Sequence, residues 1–338
     1  MKKELTICMP IYNGARYLKD SIGSILGQTY SNFNFLCYDD GSTDDSVKIV
    51  KSFRDKRIKL IVGKENRGGI YARTQLINAI STEYCMWLDC DDKFHRNDAF
   101  EIAMNTIKQG DYDLVNFVRI FNVYKDGHAE IEEPNLYKNF VYCGDKFFEK
   151  FYPVDNHFLF NSKIFKTELL KKSIPEDEIL EKRFCTDDVF FGAMWFFNTK
   201  RYCNIADEEP LIEYRKDVGI WGSQIHNTSF ERIGELCVLL YSAFVSLYNR
   251  MIAIRQINHI ELDNLIIGTN IAMICKLIGS VRKNNGDEMA DSLMHIFHSA
   301  FAKDGVHLLN DIDGFECPEY IKSLENIMNN KRNIPIKE

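Results

Sequence analysis

No two of the ten cysteines are spaced as C-x-x-C, and lysine and arginine form no long basic run. No apolar stretch reaches the roughly 18 residues of a membrane-spanning helix. Each absence excludes something. Without paired cysteines a structural zinc site has little basis. Without a basic stripe the chain lacks the electrostatic footprint of a nucleic-acid binder, and its net charge is -7. The start, MKKELTICMPIYNG, has two lysines and only a short apolar stretch before Pro and Asn-Gly. It reads as a strand and loop rather than a signal peptide. No internal repeat and no low-complexity tract is visible.

What is present suits a globular α/β protein. The 338 residues can bury a sizeable core, and the 45% hydrophobic and 27% charged fractions are ordinary. Cys8 in LTICMPIY and Cys85 in YCMWL lie inside apolar runs, as buried free thiols of a reducing compartment do.

Short apolar runs alternate with helical spacing over about the first 120 residues. Leu5–Tyr12, Phe33–Tyr38, Ile58–Val62 and Tyr84–Leu88 read as strands. Leu18, Ile22, Ile25 and Leu26 share one helical face that Gly27 ends. Ser42 with Asp45 resembles a capping box, making Ser42 a helix N-cap. Gly69–Ser81 and Asn97–Lys108 read as helices. This alternation predicts a mostly parallel sheet with right-handed crossovers. Leu114–Tyr124 and His128–Glu132 flank Lys125-Asp126-Gly127, a hairpin signal. Asp187–Phe197 reads as a helix and Leu211–Tyr214 as a strand. From Phe230 to about Met328 the pattern is helical, and Asn329–Glu338 reads as a polar, frayed end.

In an open α/β sheet, ligands bind beyond the carboxyl ends of the strands. Four polar clusters fall there. Pro10-Ile11-Tyr12-Asn13-Gly14 follows the first strand; Tyr12 can lay its ring on a flat base, or the segment is a simple turn. Asp39-Asp40-Gly41-Ser42-Thr43-Asp44 follows the second. Two adjacent carboxylates are costly there unless something binds them, and one could accept the N3–H of uracil. Asn66-Arg67-Gly68-Gly69 opens a helix with Arg73 one turn on, a pairing suited to phosphate. Asp89-Cys90-Asp91-Asp92 follows YCMWL; its carboxylate oxygens suit a hard divalent cation such as Mg²⁺ or Mn²⁺.

In this order and spacing, P-x-Y-N, D-D-G-S-T-D, N-x-G-x-x-x-A-R and L-D-x-D-D resemble family 2 glycosyltransferases. The resemblance is strong over about residues 4–100 and looser to about 230. It implies a GT-A fold: a Rossmann-like, mostly parallel sheet flanked by helices over 1–228. Residues 1–110 would form the nucleotide-binding half and 111–228 the acceptor half. Residues 229–338 form a C-terminal helical module that completes the core, makes a homodimer or lies on a membrane.

Carried over residue by residue, the resemblance puts Pro10, Tyr12, Asn13, Asp39, Asp40, Arg73, Asp89 and Cys90 at the nucleotide-sugar. Tyr12 would stack on the base, Asp40 beside Asp39 would hold its edge, and Arg73 would reach the diphosphate or nucleoside. Asp91 would ligate Mn²⁺ or Mg²⁺ with Asp89, completing the DXD motif, and Asp92 would support it. Thr186-Asp187-Asp188 matches an acidic pair opening a helix on the acceptor side, with Asp188 the catalytic base next to Asp187. Asp stands where Glu is usual at 187. In the loop after Tyr214-Arg215, Trp221 could cover a sugar face and His226 could add a metal ligand. The implied activity is inverting transfer of a hexosyl or N-acetylhexosaminyl group. The donor would be a nucleotide diphosphate sugar, with UDP favoured. The acceptor would be a saccharide or lipid-linked saccharide, in bacterial surface polysaccharide synthesis. The setting is the cytoplasm, with peripheral association at the inner membrane face left open. Two other readings stand beside it. One is a non-catalytic nucleotide-sugar-binding scaffold, which Asp91 and Asp188 together speak against. The other is a nucleotidyltransferase, whose Gly-rich basic phosphate loop is missing at Pro10–Gly14.

Overall fold

The structure is a computed structural model that describes residues 3–132, 138–145, 147, 160–174, 187–216 and 218. The chain divides into two compact units, Met1–Ser223 and Gln224–Glu338. Every described residue falls in the first. The C-terminal helical module, Trp221 and His226 lie outside the described residues.

Strands β1 (Leu5–Ile11), β2 (Phe33–Asp39) and β4 (Tyr84–Trp87) are buried on both faces. That is why their apolar runs are nearly continuous rather than alternating, as in parallel sheets covered by helices on each side. The intervening segments supply the cover. Helix α1 (Leu18–Leu26) buries Leu18, Ser21, Ile22 and Ile25, one stripe at helical spacing, and Gly27 caps it. Helix α2 (Ser46–Ser52) leads to the half-buried strand β3 (Ile58–Val62). Helix α3 (Gly69–Ala79) is buried through Ile70, Ala72, Arg73, Thr74, Leu76 and Ile77.

The chain continues through β5 (Lys93–Phe94), α4 (Ala99–Gly110), β6 (Leu114–Phe117), β7 (Ile120–Val123), β8 (Ala129–Glu132), β9 (Phe140–Cys143) and β10 (Lys163–Lys166). It then forms α5 (Thr167–Lys171), α6 (Asp187–Asn198), β11 (Arg201–Ile205) and β12 (Ile212–Arg215). Among the described residues an eight-stranded sheet has the order β3-β2-β1-β4-β10-β6-β11-β9, and a four-stranded sheet has the order β5-β12-β7-β8. Strands β3, β2, β1 and β4 are mutually parallel. Strand β10 runs antiparallel between β4 and β6, and β11 is parallel to β6.

Two sequence expectations are corrected. The apolar stretch from Leu114 to Tyr124 is not one hairpin arm. It breaks at Val118–Arg119, so that β6 belongs to the large sheet while β7 joins the small one and pairs with β8. Both edges of β6 are taken by β10 and β11, and the chain leaves where that ladder ends, at Val118 N–H to Ile205 O. Ser42 is not a helix cap. Helix α2 starts at Ser46, whose N–H and hydroxyl both donate to Asp44 Oδ1, at 2.9 and 2.5 Å. Ser42 is drawn off because its hydroxyl accepts the Asn13 N–H at 2.9 Å.

The turn after β2 depends on one glycine. Gly41 has φ +73°, and a Cβ placed on it would lie 2.5 Å from the Glu65 carbonyl carbon. Gly41→Ala is expected to cost about 2 kcal/mol or more, since the left-handed conformation alone is unfavourable for an L-residue and the backbone must also move. Urea unfolding checks this; an unchanged midpoint would show that the turn is not under this constraint.

Candidate active site at the carboxyl edge of the sheet

The registers Ile11↔Asp39 and Cys8↔Trp87 bring the ends of β1, β2 and β4 to one edge. The four polar clusters meet there. The first two are stitched together. Asn13 sits at φ 52°, and its side-chain oxygen accepts the Thr43 N–H at 2.9 Å. Gly14 N–H donates to Ser46 Oγ at 3.0 Å, and Ala15 N–H to Asp44 Oδ2 at 3.0 Å. Asn13 therefore shapes the loop with its side chain, while the neighbouring Tyr12 ring stands out, 46% exposed. Pro10 is the partly buried penultimate residue of β1.

The paired carboxylates are also accounted for. Both are buried, at 1% and 3% exposure. Asp40 accepts the Arg67 N–H at 3.0 and 3.1 Å and the Gly68 N–H at 2.7 Å, so it holds the Gly-rich entry to α3. Asp39 Oδ1 accepts the Ser42 N–H at 3.0 Å. Its Oδ2 is buried without a hydrogen-bond partner among the described residues. An unsatisfied buried acceptor at a strand end is a place for a ligand donor. Of the two carboxylates, Asp39 has the atom to spare.

The acidic turn after β4 is built from three directions. Arg73 Nη2 reaches Asp89 Oδ1 at 2.9 Å. Asn161 Nδ2 donates to Asp92 Oδ2 at 2.6 Å and Asp89 Oδ2 at 3.4 Å. Arg215 donates its N–H to Asp92 Oδ1 at 2.9 Å and its Nη1 to the Asp91 carbonyl at 2.5 Å. Asp92 is a buried anchor, and burial, followed by the Asp91 and Asp89 charges, pushes its carboxyl well up. Asp91 is pushed up to about 6, first by burial and then by the Asp89 charge. The Cys90 side chain packs on Gly14, where an added Cβ would meet its sulfur at 2.7 Å, and burial pushes its thiol well up.

The donor set suits a hard cation. Asp91 and Asp89 offer carboxylate oxygens, and Mg²⁺ sites commonly use one or two carboxylates with substrate phosphates and waters making up the rest. Among the described residues no group of three His, Cys, Asp or Glu side chains is placed to hold an ion alone.

Asp188 starts α6 and comes to the same place. Its Oδ1 lies 3.5 Å from Arg73 Nη2. Arg73, 4% exposed, is buried with its Nη2 between the Asp89 and Asp188 carboxylates. Asn161 and the main-chain role of Arg215 had no sequence signal. Asn161 stands before β10 in a short stretch without periodicity, and only the β10–β4 pairing brings it to the acidic turn. No helix among the described residues is long and apolar enough to cross a membrane.

A mostly parallel sheet with helices on both faces and an acidic turn at its carboxyl edge defines the GT-A fold. Residues 6–169 match the model of glycosyl transferase family 2. Over that segment the chain belongs to the family 2 glycosyltransferases. It resembles S. aureus TarS 1-349 solved in complex with UDP-GlcNAc, with TM-score 0.52 and 18% identity over 97% of this chain and 92% of that one. An uncharacterised glycosyltransferase of Haemophilus influenzae is 38% identical over 107 residues, 31% of this chain and 42% of the relative. WfgD of Escherichia coli, a UDP-Glc:α-D-GlcNAc-diphosphoundecaprenol β-1,3-glucosyltransferase, is 35% identical over 118 residues, 33% of this chain and 47% of the relative. Glycosyltransferase GlyA of Streptococcus pneumoniae is 32% identical over 170 residues, half of this chain and 22% of the relative. The chain thus spans less than half the length of these curated relatives.

Proposed function

We propose that this chain transfers a sugar, with inversion, from a UDP-sugar to a saccharide or lipid-linked saccharide in bacterial surface polysaccharide synthesis. The observation that supports it most is the meeting at one sheet edge of Tyr12, Asp39, Asp89 and Asp91 with Asp188. Tyr12 would stack on the base. Asp39, with Asp40 fixing the loop beside it, would accept the N3–H of uracil through Oδ2. The complex of TarS with UDP-GlcNAc and the donor in the name of WfgD favour UDP among nucleotides.

Asp91, with Asp89, would hold Mn²⁺ or Mg²⁺, and such an ion supplies charge neutralisation on the leaving diphosphate. The residues of the chain do the rest. Asp188, flanked by Asp187, would take the proton from the acceptor hydroxyl as that oxygen attacks the anomeric carbon. The diphosphate needs no general acid, so one base suffices and the outcome is inversion, unlike the paired carboxylates of a glycosidase. The setting would be the cytoplasm, where nucleotide sugars are made, or the inner face of the membrane. Pairing of two copies through residues 229–338, or their contact with a membrane, belongs to the same reading.

Calorimetry with UDP tests it. UDP should bind in the presence of Mn²⁺ and more weakly without it, and Asp91→Ala should remove the difference. CDP should bind more weakly than UDP, because cytosine has no N3–H for Asp39. Equal UDP affinity with and without Mn²⁺ would end the metal assignment. A pH effect follows from Asp91. Its carboxyl sits above its ordinary value of 3.8, at about 6, so the folded state holds the proton more tightly than the unfolded one. Ionising it therefore costs stability as pH rises between these values. A cation relieves that cost only where Asp91 is ionised. The rise in Tm given by Mn²⁺ should be larger at pH 7.5 than at pH 5; a rise that is equal at both would count against Asp91 as ligand.

A further inference from the structure

We infer that Arg73 is a positioning residue that couples the donor turn to helix α6, holding Asp188 through the same guanidinium nitrogen that holds Asp89. The inference rests on the transferase reading above and names a device within that site. Arg73 Nη2 is 2.9 Å from Asp89 Oδ1 and 3.5 Å from Asp188 Oδ1. The two carboxylates come from different elements, one after β4 and one on the first turn of α6. Their side chains keep 26% and 29% exposure, whereas that of Arg73 keeps 5%.

Packing leaves the guanidinium little choice of place. It lies 4.3 Å from the Phe160 ring centroid and 5.6 Å from that of Trp87. Cation–π contact and burial together hold it there. Arg16, by contrast, is exposed. A cation shared by two carboxylates links them. A ligand that draws on Asp89 alters how much of the Arg73 charge is left for Asp188. By reciprocity, whatever fixes Asp188 alters binding at Asp89. The donor would thereby reach the base through one side chain.

Hydrogen–deuterium exchange on the full chain tests this. The amides of Phe191 and Gly192 are bonded in an α-helix to the carbonyls of Asp187 and Asp188, so they report on the first turn. In the parent, UDP with Mn²⁺ should change their exchange rate by about threefold or more. In Arg73→Gln they should exchange about tenfold faster without nucleotide, and UDP should no longer change them. Arg73→Lys, which keeps the charge, should recover at least part of both effects. Asp188→Asn leaves the Arg73–Asp89 pair intact and should also abolish the UDP response, which keeps the test open if Arg73→Gln does not fold. The inference is overturned if UDP still changes these amides in Asp188→Asn. It is overturned equally if Arg73→Gln loses UDP affinity by more than about tenfold while the amides are unmoved, since Arg73 would then be a phosphate ligand. Absence of any UDP binding in the parent would sink the transferase reading instead. The nucleotide-free comparison of Arg73→Gln with Arg73→Lys would still decide whether Arg73 holds Asp188.

Discussion

Asp188→Asn should depress sugar transfer by about 10²–10⁴-fold, the usual contribution of a positioned general base, with UDP affinity changed by no more than the roughly threefold coupling through Arg73. The substitution keeps shape and removes only the charge and the basic lone pairs. Asp188 stands at the start of α6, part-exposed beside the buried Arg73. In the proposed reading it faces the acceptor and touches neither base nor diphosphate. An effect confined to kcat therefore distinguishes proton transfer from donor binding. Loss of UDP affinity in step with kcat would move Asp188 into the donor site. Near-normal turnover would remove it from the chemistry. The stereochemistry is an independent check. Proton NMR of the new anomeric centre should show inversion, and retention would require a nucleophile that a lone base does not provide. A scaffold that binds nucleotide without transfer would show UDP heats but no UDP release from any UDP-sugar, with or without an acceptor.

Much of the first half of the fold was legible from residues alone, for a physical reason. Strands such as Leu5–Ile11 and Tyr84–Trp87 are buried on both faces, so they show as apolar runs, and helix α1 shows one apolar stripe. These are local signals. The entry of β10 between β4 and β6, antiparallel to both, is not local; it depends on partners nearly 80 and 50 positions away, such as Met86 and Val115 for Ile164. The switch of sheet at Val118–Arg119 has the same origin. The candidate site divides similarly. That Asp39 and Asp40 need binders was readable from their chemistry. That the chain itself supplies most of them, through Ser42, Arg67 and Gly68, was not. Arg73 was readable as a cation near the donor, but its partners come from β4 and α6, and helical spacing carries no sign of them. Asn161 carried no local signal, because its partners Asp89 and Asp92 are about 70 positions away.

Asp40→Ala should unfold the donor side of the site more than it weakens any single ligand contact. Its carboxylate is buried and accepts two main-chain N–H groups, those of Arg67 and Gly68. Hydrogen bonds to a charged acceptor contribute about 1.5–3 kcal/mol each, and a buried N–H left without a partner costs more than the bond itself gains. A loss of about 2–5 kcal/mol is expected, a fall in Tm of roughly 5–15 °C for a unit of this size. Gly68 makes relief difficult. Its φ of 91° sets the entry to α3, and α3 carries Arg73. Movement of this loop is therefore transmitted to Asp89 and Asp188. Asp40→Asn should fall between Ala and the parent, because an oxygen in the Oδ2 place keeps the Gly68 bond and the longer Arg67 bond, while the amide in the Oδ1 place sets a donor against the Arg67 N–H. If Asp40 served only the base edge, Asp40→Ala would weaken UDP binding and leave the unfolding midpoint within about 1 kcal/mol of the parent. That result would overturn the structural role, whereas a fall in Tm in the absence of any nucleotide supports it.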